Sequence, residues 1–163
     1  MKSRRVALVV AVLTLLVLAA SVPGSLREAR EHGGFYVFSL AFLEDIPKRL
    51  AGPGRLRFLF QPLMAILLGI RSGREDAREG RPWLFHGLLL HAEHRVALLK
   101  STLESISILV LMGILLDSVF QWILLGISYP GAALVVGPVL ITLPYAVARA
   151  VAGAVAGSGR ATG

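Results

Sequence analysis

Residues 105–127 read SISILVLMGILLDSVFQWILLGI, 23 positions that carry one charge, Asp117. At ~1.5 Å per residue a helix of that length reaches about 34 Å, enough to cross a hydrocarbon core ~30 Å thick. The whole chain agrees with a membrane setting. Hydrophobic residues make up 55% of its 163 positions, with 17 glycines besides, and only 17% are charged, against about 25% in ordinary domains. A soluble domain this small could not hide so much apolar surface, because small domains bury the smallest fraction of their chain. Disorder is excluded as well, since it needs low hydrophobicity.

Other global features narrow the chemistry. Cysteine is absent, which removes disulfides, zinc–thiolate and iron–sulfur ligation, and lipoprotein acylation. The net charge of +7 suits basic loops facing an anionic leaflet. Nucleic acid is not an expected partner, because no basic run is interleaved with aromatics. Arginine outnumbers lysine 14 to 3, a bias that points to a GC-rich bacterial genome.

Downstream of the opening stretch, Ser128-Tyr129-Pro130-Gly131 reads as a tight turn. Residues 131–151 read as the last span, kinkable at Pro138 and Pro144. Residues 153–163 read as a flexible tail. Upstream, Trp83 to Lys100 reads as a helix entering the membrane surface obliquely. Phe58 to Ile70 supplies 13 uncharged residues, about 20 Å of helix. Snorkelling Arg57 and Arg71 extend this to a short span over 56–72. Gly80-Arg81-Pro82 is a stop signal.

Near the start, Val6 to Val22 is uncharged over 17 residues and follows Lys2, Arg4 and Arg5. It reads as an anchoring span, 6–22, in preference to a cleaved signal peptide over 1–20. Pro23-Gly24 is its expected end. Beyond it Phe35, Phe38, Phe42, Ile46 and Leu50 recur at three- and four-residue steps, with Glu44, Asp45, Lys48 and Arg49 on the polar side. That pattern predicts an amphipathic helix over 35–50, lying at the headgroup boundary or packed flat on the spans.

The expected fold class is therefore all-α: a polytopic helical membrane protein with about four transmembrane helices plus an amphipathic interfacial helix, forming one domain over 1–152. Four spans with the N-terminus inside put 11 lysines and arginines on the inner side and 6 on the outer. Three spans with the N-terminus outside give 14 and 3, but export three cations that crowd the first span. The expected location is the bacterial inner membrane, multi-pass, with the N-terminus cytoplasmic.

Asp117 is the leading site candidate. A charge at mid-span costs at least ~2.5–3.5 kcal/mol, so its carboxyl should face other helices. Gly113 and Gln121 share its face at four-residue spacing. A hairpin about Tyr129 brings Thr142 and Tyr145 to similar depth as hydrogen-bond partners. Asp117 is then either a proton or cation site, or a protonated or hydrogen-bonded group that fixes helix packing. Packing is preferred, because no second intramembrane charge completes a relay. Gln61, beside Pro62, either satisfies local polar groups at a helix contact or lines a pathway.

His86, His91 and His94, near Glu93, are the residues a metal or haem would have to use. They lie on one segment, and His-Ala-Glu-His lacks the four-residue histidine spacing of the zinc-protease helix. No metal and no cofactor is expected. Gly69 and Gly73 form a GxxxG that encloses Arg71, and Ala146, Ala150 and Ala154 with Gly153 and Gly157 form a small-residue ridge. Both are given little weight in a chain so rich in glycine and alanine.

No phosphate-binding loop, nucleophile with its base, or paired-carboxylate site is present. The expected function is non-enzymatic: an accessory or interaction subunit of a membrane assembly. Its expected partners are the lipid bilayer and a homo-oligomer or larger membrane complex. The alternatives are a small oligomeric transporter or channel using Asp117, and a haem or redox membrane subunit.

Overall fold

A computed structural model of the chain describes residues 2–52 and 54–161. Among these residues the regular structure is all helical. The order is α1 (Lys2–His32), a 3-10 turn (Tyr36–Phe38), α2 (Leu40–Glu44), α3 (Ile46–Ala51), α4 (Arg57–Arg78), α5 (Leu84–Leu90), α6 (Ala92–Leu125) and α7 (Pro130–Ala161). Three helices are long and apolar enough to cross a membrane, over Arg5–Glu31, Ala92–Leu125 and Pro130–Ser158. The second of these carries the stretch quoted at the outset.

Several boundaries differ from those the sequence suggests. α1 does not stop at Pro23-Gly24 but runs through both to His32. Proline costs a helix interior ~3 kcal/mol in water. Among apolar surroundings, leaving the helix would strand more backbone groups than the one proline removes. The helix ends instead at Gly33, whose φ of 72° suits a residue without Cβ. There Gly34 N donates to Ala29 O at 3.1 Å, a Schellman closure. Trp83–Lys100 is not one oblique helix: α5 ends at Leu90 and α6 starts at Ala92. The stretch read as a tail is helical as far as Ala161, while residues 162 and 163 lie outside the described residues.

The amphipathic helix expected over 35–50 is three short pieces. Ser39 interrupts it in an extended conformation, and its Oγ accepts from Phe42 N at 3.3 Å to cap α2. Asp45 separates α2 from α3, with Pro47 in the first turn of α3, where its missing N–H does no harm. Phe35, Phe38, Leu40, Leu43 and Leu50 are exposed, as are Glu44 and Lys48, whereas Arg49 turns inward and is only 2% exposed.

α4 turns polar and small residues inward. Its inward positions are polar or small, with Gln61, Ala65, Gly69, Ser72, Gly73 and Asp76 all buried. Its outward positions include Leu59, Phe60, Leu63, Met64, Ile66 and Leu67, all exposed. Polar-in and apolar-out is the arrangement expected where the surroundings are lipid.

The sequence reads as one domain over 1–152. By its contacts the chain divides into two compact units, one of Met1–Phe60 with Ile108–Leu140 and one of Gln61–Ser107 with Ile141–Gly163. In the first unit Thr14 of α1 hydrogen-bonds Leu111 O of α6 at 3.3 Å. Gly137 of α7 lies so close to α6 that a Cβ there would stand 2.7 Å from Ile114 N. In the second unit Leu84, Leu98 and Ala150 form an apolar core, with Leu88 and Ala146 packed on it.

The GxxxG that seemed uninformative is a helix contact of this second unit. A Cβ on Gly69 would stand 2.5 Å from Tyr145 O and 3.1 Å from Arg149 N, both backbone atoms of α7. Backbone cannot yield as a side chain can. Gly69→Ala is therefore expected to destabilise the detergent-solubilised protein by about 1–3 kcal/mol in equilibrium unfolding. Gly157→Ala, with nothing within 4 Å, leaves stability unchanged or slightly higher. Equal stability of Gly69→Ala and the parent would show that the two helices do not approach this closely. The ridge on α7 contributes in part: Ala150 and Gly153 are buried, but Ala154 and Gly157 are exposed.

Candidate functional site: two buried arginine–aspartate clusters

The first unit holds Asp117 at the centre of a cluster. α6 extends to Leu125, so Asp117 lies eight residues, about 12 Å, from the helix end. Gly113, Asp117 and Gln121 are all buried, as their shared face requires. The groups that bond Asp117 are not the expected ones. Arg49 Nη1 from α3 donates to Oδ1 at 3.2 Å and to Oδ2 at 3.3 Å. Arg57 Nη2, from the first turn of α4, donates to Oδ1. Gln121 Nε2 donates to Oδ2 at 2.6 Å, while its Oε1 accepts from Tyr129 N at 2.7 Å. Both carboxylate oxygens are thus occupied, and Gln121 ties the cluster to the turn before α7.

Local sequence makes this approach possible. Gly54 lets the connection before α4 close over Phe120, since a Cβ there would stand 2.8 Å from the ring. The guanidinium carbon of Arg57 lies 4.8 Å from the centre of the Phe58 ring and 5.4 Å from that of Phe120. That of Arg49 lies 5.6 Å from the Phe42 ring. Each such cation–π contact stabilises by about 0.5–2 kcal/mol, most where water is excluded.

The cluster continues outward. Arg49 Nη2 donates to the Tyr36 hydroxyl at 3.3 Å, and that hydroxyl donates to Asp45 Oδ2 at 2.7 Å. Lys48 Nζ donates to Asp45 Oδ1 at 2.6 Å. The Tyr36 ring stacks on Tyr129, with centroids 3.7 Å apart, and the Tyr129 hydroxyl donates to Glu28 Oε1 at 3.1 Å. Burial pushes the Tyr36 phenol up to about 12, so it stays neutral and keeps the proton it gives to Asp45. Burial also pushes the Asp45 carboxyl upward, but the bonds from Lys48 and Tyr36 and the nearby cations outweigh it and hold it low.

The second unit holds a separate cluster on Arg149 and Asp76. Arg149 Nε donates to Asp76 Oδ2 at 2.6 Å and Nη2 to Oδ1 at 2.9 Å. Nη2 also donates to Ser101 Oγ at 2.8 Å. Nη1 donates to Thr102 Oγ1 at 2.8 Å and to the Tyr145 hydroxyl at 3.2 Å. All five N–H groups of the guanidinium are therefore used. Arg81 adds a second cation 3.6 Å from Asp76.

The remaining candidates fall elsewhere. Tyr145 serves Arg149, and Thr142 is exposed. Gln61 is buried, with no hydrogen-bond partner for its Nε2. His86, His91 and His94 form a row of rings beside Trp83, with centroids 4.7 Å apart for the first histidine pair and 6.1 Å for the second. Among the described residues no group of three or more histidines, cysteines or carboxylates is arranged to hold a metal.

Sequence reasoning missed Arg49, Arg57, Asp76 and Arg149. A signal existed: Arg57 and Arg149 fall inside the spans drawn over 56–72 and 131–151, and an arginine buried there demands a carboxylate. No known protein family matches the chain, and neither a curated protein nor a solved structure is similar to it.

Proposed function

We propose that the chain is a non-enzymatic integral membrane protein, an accessory or interaction subunit that packs with itself or with a larger membrane assembly. The observation carrying this is the occupation of both Asp117 oxygens by Arg49, Arg57 and Gln121. A carboxylate whose two oxygens each accept from two N–H donors has no lone pair open to a passing proton or cation. It is a poor carrier of protons or cations and a good tie between helices. Asp76 is held by Arg149 in the same fashion.

Four spans with a cytoplasmic N-terminus in a bacterial inner membrane remain the preferred topology. The inverted faces of α4 support a crossing that its charges conceal from hydropathy. The contact of Thr14 with α6 supports an anchor over a cleaved leader. The charge count also moves the same way. Arg49, Arg57 and Arg149 are buried, and leaving them out of this topology's count gives ten cations inside against four outside.

Reconstituted proteoliposomes test the reading. The expected result is no proton- or solute-dependent flux, with a distinct protein partner retained through mild-detergent purification. A flux that Asp117→Asn abolishes while the protein stays folded would overturn it in favour of a transporter or channel.

A further inference from the structure

The last turns of α4 carry more cations than the second unit pairs. Glu75 accepts from Arg71 at 3.1 Å, Glu79 from Arg81, and both oxygens of Asp76 from Arg149. Five arginines (Arg71, Arg74, Arg78, Arg81 and Arg149) stand here against three carboxylates, Glu75, Asp76 and Glu79. Each carboxylate is already engaged, and among the described residues no hydrogen bond or ion pair holds Arg74 or Arg78, both exposed. These two arginines are four apart and continue a ridge formed by Ile66 and Ile70. One face of α4 therefore passes from apolar to cationic along its length.

That ridge is one wall of a groove of about 740 Å³, within the ~300–1,000 Å³ of ligand sites. The facing wall is Leu143, Val147 and Val151 of α7, and Arg74 is the one charged residue that lines it. The floor is low because α4 crosses α7 at Gly69 and Gly73. Ala148 and Ala152 lie 3.0 Å from the Cβ positions that these glycines lack. The level suits a headgroup. Gly73, next to Arg74, packs on Gly153, and Gly153 packs on Trp83, a residue type enriched at membrane interfaces. Apart from Arg74 the groove meets only aliphatic side chains. A cation at the head of an aliphatic groove matches an amphiphile with an anionic head and a hydrocarbon tail. A second copy docked on this face about a twofold axis along the membrane normal would set Arg74 and Arg78 against their own copies.

We propose that this groove seats one acyl chain of an anionic phospholipid, whose phosphate is held by Arg74 and Arg78. Their guanidinium groups donate to the phosphate oxygens, and the chain lies along Ile70 and Ile66 against Val147. The proposal rests on residence in a bilayer, but not on the choice between accessory and transport roles.

The test uses the full chain extracted from membranes in mild detergent. Native mass spectrometry counts retained phospholipid, and thermal unfolding is followed in micelles doped with phosphatidylglycerol, phosphatidylcholine or inorganic phosphate. Phosphatidylglycerol should be preferred over phosphatidylcholine by about tenfold or more, the weight of two arginines at a charged lipid surface, and should raise Tm. Arg74→Gln should cut that preference severalfold in a protein that stays folded, since its side chain is neither buried nor paired. Lys100→Gln removes an exposed cation of α6 and should keep the preference. Val147→Trp fills the groove from a position 48% exposed, with every charge intact, and should lose the lipid while keeping its helicity. Equal retention of the two lipids would overturn the proposal. So would a preference unchanged in Arg74→Gln or in Val147→Trp, an equal loss in Lys100→Gln, or stabilisation by inorganic phosphate without lipid. Partition of the protein into the aqueous phase without detergent would instead defeat the membrane reading itself.

Discussion

Asp117→Ala is expected to destabilise the detergent-solubilised protein by about 3–5 kcal/mol, the usual consequence of removing one member of a buried ion pair. The loss comes from what is left behind. Arg49 and Arg57 stay buried with no carboxylate between them, and Gln121 loses the oxygen that orients it toward Tyr129. The effect should be asymmetric. Replacing all three charged residues with apolar ones of similar volume should recover most of the loss, because buried ion pairs are often no better than well-packed hydrophobes. Unfolding in mixed micelles measures both. An Asp117→Ala protein as stable as the parent would mean that another group neutralises the arginines.

Arg149→Met carries the second large effect, again about 3–5 kcal/mol. Asp76 is 1% exposed, and it would lose both short bonds to Arg149, retaining Arg81 at 3.6 Å. Ser101, Thr102 and Tyr145 would lose a shared donor. Arg149→Lys should rescue little, since one ammonium cannot reproduce five N–H directions. Adding Asp76→Leu to Arg149→Met should restore stability relative to Arg149→Met alone, and the double-mutant cycle gives the coupling between the two positions. Additive losses would show that the two side chains do not act as a pair.

How much was legible depended on whether the cause was local. The apolar runs of α1, α6 and α7 are properties of consecutive residues, so composition and length revealed them. The partners of Asp117 are not: Arg57 and Arg49 stand 60 and 68 residues away along the chain. Arg49 was grouped with Glu44, Asp45 and Lys48 on the polar side of one helix, but the breaks at Ser39 and Asp45 turn it inward to Asp117 while Glu44 and Lys48 stay exposed. α4 was legible as a short span over 56–72, although its buried charges and glycines keep it below the hydropathy that marks α1, α6 and α7. Asp76 lay beyond the span drawn over 56–72, although α4 buries it opposite Arg149.

The interleaving of the two units has a consequence for biosynthesis. Each unit joins an early stretch of chain to a late one, Met1–Phe60 to Ile108–Leu140 and Gln61–Ser107 to Ile141–Gly163. While the ribosome is still making the middle of the protein, Arg49 and Arg57 have emerged without Asp117, and Asp76 without Arg149. Until α7 is made Asp76 has Arg81 but not Arg149 beside it, and until α6 is made Arg49 and Arg57 lack Asp117. A nascent chain cut short before α7 completes neither unit.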